Sequence, residues 1–140
     1  MNIHEIHILP AGKYYICDPC YVIDSNKWDQ FLDIMDGNSY FGYNGKQYVC
    51  LHTYFGDGSY PSNHDNYEGN TLIFDVDSGM IGAIPLDSEF LNTNESLNED
   101  YIFEFTEPFE CKDNNGKLIF SNVVIDTYNQ FWDSEREDDE

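Results

Sequence analysis

The stretch YFGYNGKQYVCLHTY, residues 40–54, contains the strongest fold signal in the chain. Asn44 and Gly45 lie between two arms, 40–43 and 47–54, that are rich in aromatic and β-branched residues. An Asn-Gly pair in this setting is typical of a tight hairpin turn, because both positions tolerate positive φ. The stretch therefore predicts two neighbouring antiparallel strands.

Outward from this hairpin, alternating or apolar runs predict further strands at 3–9, 13–17, 71–77 and 80–86. A second long hairpin is expected around the polar turn 113–116, with arms at 101–112 and 118–127. Between these strands, GDGSYPSNHDNYEGN at 56–70 is rich in Gly, Asn, Asp and Ser and has no periodicity. This composition predicts a long surface loop.

One segment has helical periodicity. Asp24, Ser25 and Asn26 are N-cap candidates, and apolar residues follow at helical spacing as far as Gly37. The pattern predicts one main helix at about 25–36. The expected fold class is α+β and β-dominated, an antiparallel sheet or partly open barrel with this helix packed on it. Residues 1–128 are predicted to form a single domain, and 129–140 an acidic C-terminal tail.

The chain has 140 residues, enough for one domain with a substantial core. Its N-terminus has no basic flank followed by an apolar run, and no apolar run approaches the roughly 20 residues of a membrane span. We therefore expect a cytoplasmic protein that does not bind a membrane. Its cysteines are then expected to be reduced.

Charge is the outlying feature of the composition. The chain has 27 Asp and Glu against 6 Lys and Arg, a net charge of −21, and eighteen of the acids lie in residues 71–140. Such a charge repels nucleic acid, so direct nucleic-acid binding is not expected. Uneven spacing favours a surface that meets a basic partner, whereas solubility alone would explain evenly spread acids.

Four cysteines raise the question of metal or redox chemistry. Cys17 and Cys20 form a C-x-x-C pair, but Cys50 and Cys111 are isolated, so a four-ligand zinc site lacks its second pair. A thioredoxin-like pair is expected in a βαβ pattern, which the surrounding β pattern does not match. The favoured interpretation is a turn at 18–19 flanked by small buried thiols. No metal or cofactor is predicted.

Carboxylates and two histidines provide an alternative site. Asp75, Asp77 and the following Ser-Gly suggest the start of a calcium loop, but the Gly and Glu of an EF-hand are missing at the sixth and twelfth positions. His52 and His64 flank the 56–70 segment, which makes an acid–base pair conceivable. The candidate ligand-binding residues are Asp18, Asp57, Tyr60, His64, Asp75 and Asp77.

Several short motifs together resemble a family of small uncharacterised phage and bacterial proteins. They are DPCYV at 18–22, Trp28, GDGSY at 56–60, DVDSGMIGAIP at 75–85 and VVIDT at 123–127. That family has Gly where this chain has Cys17. The resemblance covers about residues 11–127 and implies a compact β-rich fold of mobile-element origin. It implies no activity. If the protein is phage-encoded, we expect it in the host cell cytosol.

The preferred functional hypothesis is a non-enzymatic, phage-type inhibitor. It would cover a basic, nucleic-acid-binding surface of a host or defence protein. The predicted partner-binding residues are Asp87, Glu89, Glu104, Glu107, Glu110, Phe131, Trp132, Glu135, Glu137 and Asp138. The alternatives are a small-ligand, nucleotide-like binding or sequestering protein, and a metal-dependent hydrolase that uses Asp57, Asp75 and Asp77.

Overall fold

The computed structural model describes residues 6–92 and 97–128, and contains eleven strands and one α-helix within those ranges. The predicted division into a domain at 1–128 and a tail at 129–140 stays a prediction. The elements are β1 His7–Leu9, β2 Gly12–Cys17, α1 Trp28–Met35, β3 Tyr40–Tyr43, β4 Lys46–His52, β5 Gly58–Asp65, β6 Thr71–Val76, β7 Met80–Pro85, β8 Ile102–Phe105, β9 Phe109–Asn114, β10 Lys117–Phe120 and β11 Val123–Asp126. None of the described helices is long and apolar enough to cross a membrane.

The strands form two antiparallel sheets. The first sheet has the order β1-β9-β10-β11-β5-β6, and the second has the order β3-β4-β7-β2-β8. The predicted hairpin at 40–54 is present as β3 and β4, joined at Asn44 and Gly45, which both have positive φ. The expected α+β, β-dominated fold is confirmed, with two packed sheets and not a closed barrel.

Two hydrophobic cores make the molecule three layers thick. The first core lies between the sheets, where Phe74 and Phe120 of the first sheet meet Ile16 and Ile81 of the second. The second core lies on the opposite face of the second sheet, beneath α1 and the segment around Phe90. Strand β7 is buried at every position because both of its faces are covered, which explains its nearly continuous apolar sequence.

Helix α1 lies where the periodicity predicts a helix. A 3-10 turn at Ser25–Lys27 leads into α1, and the Asp24 side chain caps that turn by accepting a hydrogen bond from the Asn26 N–H at 3.0 Å. Asp36 ends the helix in the left-handed conformation. Phe31 and Met35 face the second sheet and are buried, so burial of this apolar stripe holds the helix in place.

The prediction of a surface loop at 56–70 is wrong for most of the stretch, because β5 occupies Gly58–Asp65. The strand pairs with β6 on one side and β11 on the other, and the side chain of Tyr60 is fully buried. Pro61 keeps its register with Ile73, and the pairing with β6 has a register shift between Pro61 and Asp65. Pairing with the next strand, β6, and with the distant strand β11 therefore overrides the low β-propensity of this stretch.

The prediction of a second long hairpin is also wrong in detail, although a turn does lie within 113–116. The first arm divides at 106–108 into β8 of the second sheet and β9 of the first, and Pro108 lies at this break. The second arm folds back at Ser121, whose φ is 59°, and becomes β10 and β11. Each predicted long strand thus becomes two short ones.

We expect Gly82→Ala to lower the free energy of unfolding by about 1–3 kcal/mol, because a methyl group there overpacks the second core. Gly82 lies on β7 between Cys17 of β2 and Cys50 of β4. An added Cβ would lie 2.7 Å from the Cys50 sulfur and 3.1 Å from a backbone oxygen of β4. Urea denaturation measures the change.

Gly42→Ala is the matched control, since its added Cβ would come no closer than 3.6 Å to another atom and its φ is negative. Equal stability of the two variants would contradict the predicted overpacking at Gly82.

Candidate functional site

Strand β7 defines two opposite ends of the molecule. Asp87 and Glu89 follow the last residue of β7. We call this side the glutamate end, and it is defined by five acids: Asp87, Glu89, Glu104, Glu107 and Glu110. The opposite side, where β7 begins, contains the turns that carry Asp18, Asp57 and Asp77, and we call it the Asp18 end. Asp18 lies at this end because it accepts hydrogen bonds from the N–H groups of Asp77 and Ser78, which immediately precede β7.

Backbone pairing places the five predicted acids at the glutamate end together. The Leu86 N–H, just after β7, donates to the Lys13 carbonyl at 2.9 Å, and Lys13 is the register partner of Glu104 on β8. The Asn44 side chain, in the β3–β4 turn at this same end, donates to Glu89 Oε1 at 2.8 Å. Asp87 therefore lies at the same end of the second sheet as Glu104, and Glu89 lies at this end too, but near the β3–β4 turn at the opposite edge of the sheet from β8.

Three of these glutamates line one groove. Glu104, Glu107 and Glu110 are exposed and surround a depression of about 650 Å³ between the 106–108 turn and the end of β10. Glu110 is the register partner of Ile8 on the edge strand β1, and Ile8 is 48% exposed. An exposed apolar side chain, itself not part of the groove's lining, therefore lies next to one of its carboxylates. We call this depression the glutamate groove.

Lysines from the first half of the chain also lie at the glutamate end, which the charge pattern along the sequence did not indicate. Lys13 and Lys46 line a second groove of about 540 Å³ with Asp87. The Lys27 ammonium donates to the backbone carbonyl of Glu89 at 2.6 Å. The part of this end nearest Asp87 and Glu89 is thus of mixed charge. The glutamate groove has Lys112 in its lining, 3.9 Å from Glu110.

The remaining predicted partner-binding residues lie outside the described residues. They are Phe131, Trp132, Glu135, Glu137 and Asp138. Tyr128, the last described residue, lies at the Asp18 end, where its ring is 4.8 Å from that of Tyr54. Thr53, next to Tyr54, donates its N–H to the carbonyl of Gly79 just before β7. The described chain therefore ends on the side opposite the glutamate groove.

At the Asp18 end, one buried carboxylate joins two sequence motifs. Asp18 is fully buried, and its Oδ2 accepts hydrogen bonds from the N–H groups of Asp77 and Ser78 at 2.6 and 2.7 Å. Its Oδ1 accepts from the Cys20 N–H at 2.9 Å and the Ser78 hydroxyl at 2.6 Å. All four donors belong to the protein, so this predicted ligand-binding residue ties the turn at 18–21 to the turn at 77–79.

The other candidate ligand-binding residues are spread along β5 and β6. Tyr60 is buried and its hydroxyl donates to the Gly56 carbonyl at 2.7 Å. Asp57 and Asp77 are exposed near Cys20, and Asp75 is exposed and accepts from the Ser59 hydroxyl at 2.6 Å. His64 lies further along β5 with its ring against Phe103, 5.3 Å between centroids. The structure therefore brings the aspartates to one end and leaves His64 apart from them.

The thiols at this end are poorly suited to nucleophilic chemistry. Burial, followed by the hydrogen bond with Asp18 and the charge of that carboxylate, raises the pKa of Cys20 to about 12. Burial also raises the pKa of Cys17 and of Cys50, and nearby Asp18 raises both further. Reactive cysteines need the opposite shift, because the thiolate is the nucleophile. The geometry therefore matches small buried side chains on one face of the second sheet.

Among residues 6–92 and 97–128, no group of three or more His, Cys, Asp and Glu side chains is arranged to hold a metal ion. Asp57, Asp75 and Asp77 lie at the same end without forming such a group. The hydrolase hypothesis thus has no metal-binding centre within this part of the chain.

A cleft that the sequence did not reveal lies beside the end of β2. Its volume is about 230 Å³, and Asp75 is the only candidate residue in its lining. We call it the tyrosine cleft. The lining residues are Tyr15, Cys17, Tyr21, Val22, Phe74, Asp75, Asn98 and Tyr101. Four separate segments contribute to it, so no local motif could have indicated it.

Comparison with protein-family models, curated proteins and solved structures found no match to this chain. The resemblance to the phage and bacterial family stays a prediction. Three of the stretches on which it depends, 18–22, 56–60 and 75–79, lie at the Asp18 end, where Asp18 accepts hydrogen bonds from Asp77 and Ser78.

Proposed function

We propose that the chain is a non-enzymatic interaction protein that covers a basic, nucleic-acid-binding surface of another protein, a host or defence protein if the chain is phage-encoded. The observation that supports this most directly is the glutamate groove, where Glu104, Glu107 and Glu110 are exposed on one surface. The net charge of −21 adds long-range attraction toward a basic partner.

The physical basis is competition for the lysines and arginines that would otherwise contact phosphates. Duplex DNA presents about one charge per 1.7 Å of its axis, so a nucleic-acid-binding surface is rich in such cations. Each exposed ion pair contributes only about 0–1 kcal/mol, so binding needs several carboxylates together. An exposed apolar side chain beside them, such as Ile8, adds contact area that salt does not screen.

We expect the triple variant E104Q/E107Q/E110Q to bind the partner about tenfold more weakly at low salt and within about twofold of wild type at high salt. The partner is first captured from host lysate at low salt, and its affinity for each variant is then measured with purified proteins. A single Glu→Gln change should have little effect.

The control variant is D33N/D36N/D57N, which removes the same number of charges from exposed positions on α1, at its C-cap and at the Asp18 end, none of them in the lining of the groove. It should retain most of the affinity. If the two triple variants lose affinity equally, only net charge matters and the groove is not the binding surface. If affinity does not depend on salt, the proposal of charge-driven binding is wrong.

Small-ligand binding is a second candidate function, supported by the tyrosine cleft. A nucleotide-like ligand fits this cleft poorly, because its phosphates would approach the exposed carboxylate of Asp75 in the lining. A ligand of the opposite charge does not have this difficulty.

A further inference from the structure

The tyrosine cleft exists because β8 is shorter than β2. The register between these strands runs from Gly12 to Tyr15, and the chain preceding β8 turns away in a 3-10 helix at Glu99–Tyr101. The cleft opens beside the last residues of β2, and β6 of the first sheet forms its other wall. Two layers and two turns therefore contribute side chains to one concave site.

Four aromatic rings form most of the walls. Tyr101 stands edge-on to both Phe74 and Tyr15, with centroids 5.1 and 6.3 Å away. Tyr21 is the fourth ring and is 46% exposed, so it lies at the rim. Tyr21 and Tyr101 are the more accessible of the four rings, whereas Phe74 and Tyr15 are buried behind them.

Hydrogen bonds hold the rings in place. The Tyr101 hydroxyl donates to the Ile73 carbonyl at 2.5 Å, and the Tyr21 hydroxyl donates to Asp77 Oδ2 at 2.7 Å. The Tyr15 hydroxyl accepts from the Asn98 N–H at 3.1 Å. Because each hydroxyl is anchored, the aromatic surfaces are positioned before any ligand arrives.

The electrostatics of the cleft favour a cation. Asp75 places an exposed carboxylate in the lining, and Asp77 lies against the rim tyrosine. No lysine or arginine from the described part of the chain lines the cleft. Burial first, and then the charge of Asp75, raises the pKa of Tyr101 to about 12, so this wall stays a neutral phenol with an electron-rich face.

We propose that the tyrosine cleft binds a small organic cation whose ammonium group is methylated, of the quaternary ammonium class. Methyl groups on the cation fill an aromatic cage without requiring hydrogen-bond acceptors, and the ring faces attract the charge. The carboxylate of Asp75 at the opening supplies long-range attraction. This site is separate from the glutamate groove, so the proposal rests on the second candidate function, small-ligand binding, and does not depend on the proposed binding of a basic partner.

Isothermal titration with choline, and with its neutral carbon isostere 3,3-dimethylbutan-1-ol, tests the charge requirement. The isostere has the same shape without the charge, so we expect it to bind the wild-type protein at least about tenfold more weakly. Absence of choline binding would overturn the proposal. Equal binding of the two compounds would show an apolar pocket and would also overturn it.

Variants test the location. Tyr21→Leu removes a rim ring that is nearly half exposed, so the protein should stay folded while choline affinity falls about fivefold or more. Tyr128→Leu, at a tyrosine that is 53% exposed outside the cleft, should leave affinity unchanged. Asp75→Asn should lower the affinity for choline but not the affinity for the neutral isostere. If Tyr21→Leu and Asp75→Asn both bind choline as wild type does, the assigned site is wrong.

Discussion

Asp18→Ala should lower the free energy of unfolding by about 3–5 kcal/mol. The carboxylate of Asp18 is fully buried and accepts hydrogen bonds from three backbone N–H groups and one hydroxyl. Removing it leaves the N–H groups of Cys20, Asp77 and Ser78 without this acceptor. A buried donor that loses its partner costs about 1–3 kcal/mol, and the Ser78 hydroxyl can turn to another partner. Urea denaturation followed by circular dichroism measures the loss.

Asp57→Ala is the matched control, because it removes an exposed carboxylate from the same end of the molecule. It should change stability by no more than about 0.5 kcal/mol. Asp18→Asn separates the effect of charge from that of geometry, because the side chain keeps one acceptor oxygen but turns an amide N–H₂ group toward the donors. Its loss of stability should lie between those of Asp57→Ala and Asp18→Ala. An Asp18→Ala protein as stable as Asp57→Ala would show that the two turns do not depend on this carboxylate.

Phe31→Ala should cost about 3–5 kcal/mol, because it empties the centre of the second core. Phe31 is fully buried, and its ring lies within 5.4 to 6.1 Å of the rings of Phe90, Phe41, Trp28 and Tyr48. These rings come from the helix, from the second sheet and from the segment after β7. Loss of the ring therefore weakens the attachment of the whole third layer, and the denaturation midpoint should fall without loss of the single transition.

Leu32→Ala, at the next position of the same helix, is the control. Leu32 is 38% exposed, so its truncation should cost less than about 1 kcal/mol. Both variants replace an apolar helix residue by Ala, so helix propensity contributes little to the difference between them. Similar losses at 31 and 32 would contradict the assignment of Phe31 to the centre of the core.

The candidate sites were only partly predictable from the sequence. The excess of acids in the second half indicated Glu104, Glu107 and Glu110, which do share one groove. The charge pattern could not show that Lys13, Lys27 and Lys46 lie at the same end, since β-strand pairing brings them there from the first half. The tyrosine cleft has no local signature, because its rings come from residues up to 86 positions apart, from Tyr15 to Tyr101.

The sequence by itself determined the local elements. Periodicity and capping at 24–37 are sufficient to place the helix, and Asn44-Gly45 is sufficient to place the first hairpin, because turn and helix signals act between residues a few positions apart. The overall β-dominated class follows from the number of such segments.

Only the tertiary structure decided where the strands begin and end and which polar groups are buried. The stretch 58–65 becomes a strand because β6 and β11 offer hydrogen-bond partners on both sides, and the predicted hairpin arms divide because they serve two different sheets. The sequence likewise does not distinguish Asp18 from the other acids. Its buried role depends on hydrogen-bond donors from Asp77 and Ser78, some 60 positions away. The physical reason is common to these cases: pairing and burial depend on groups that are distant in the chain, and local propensity carries no information about them.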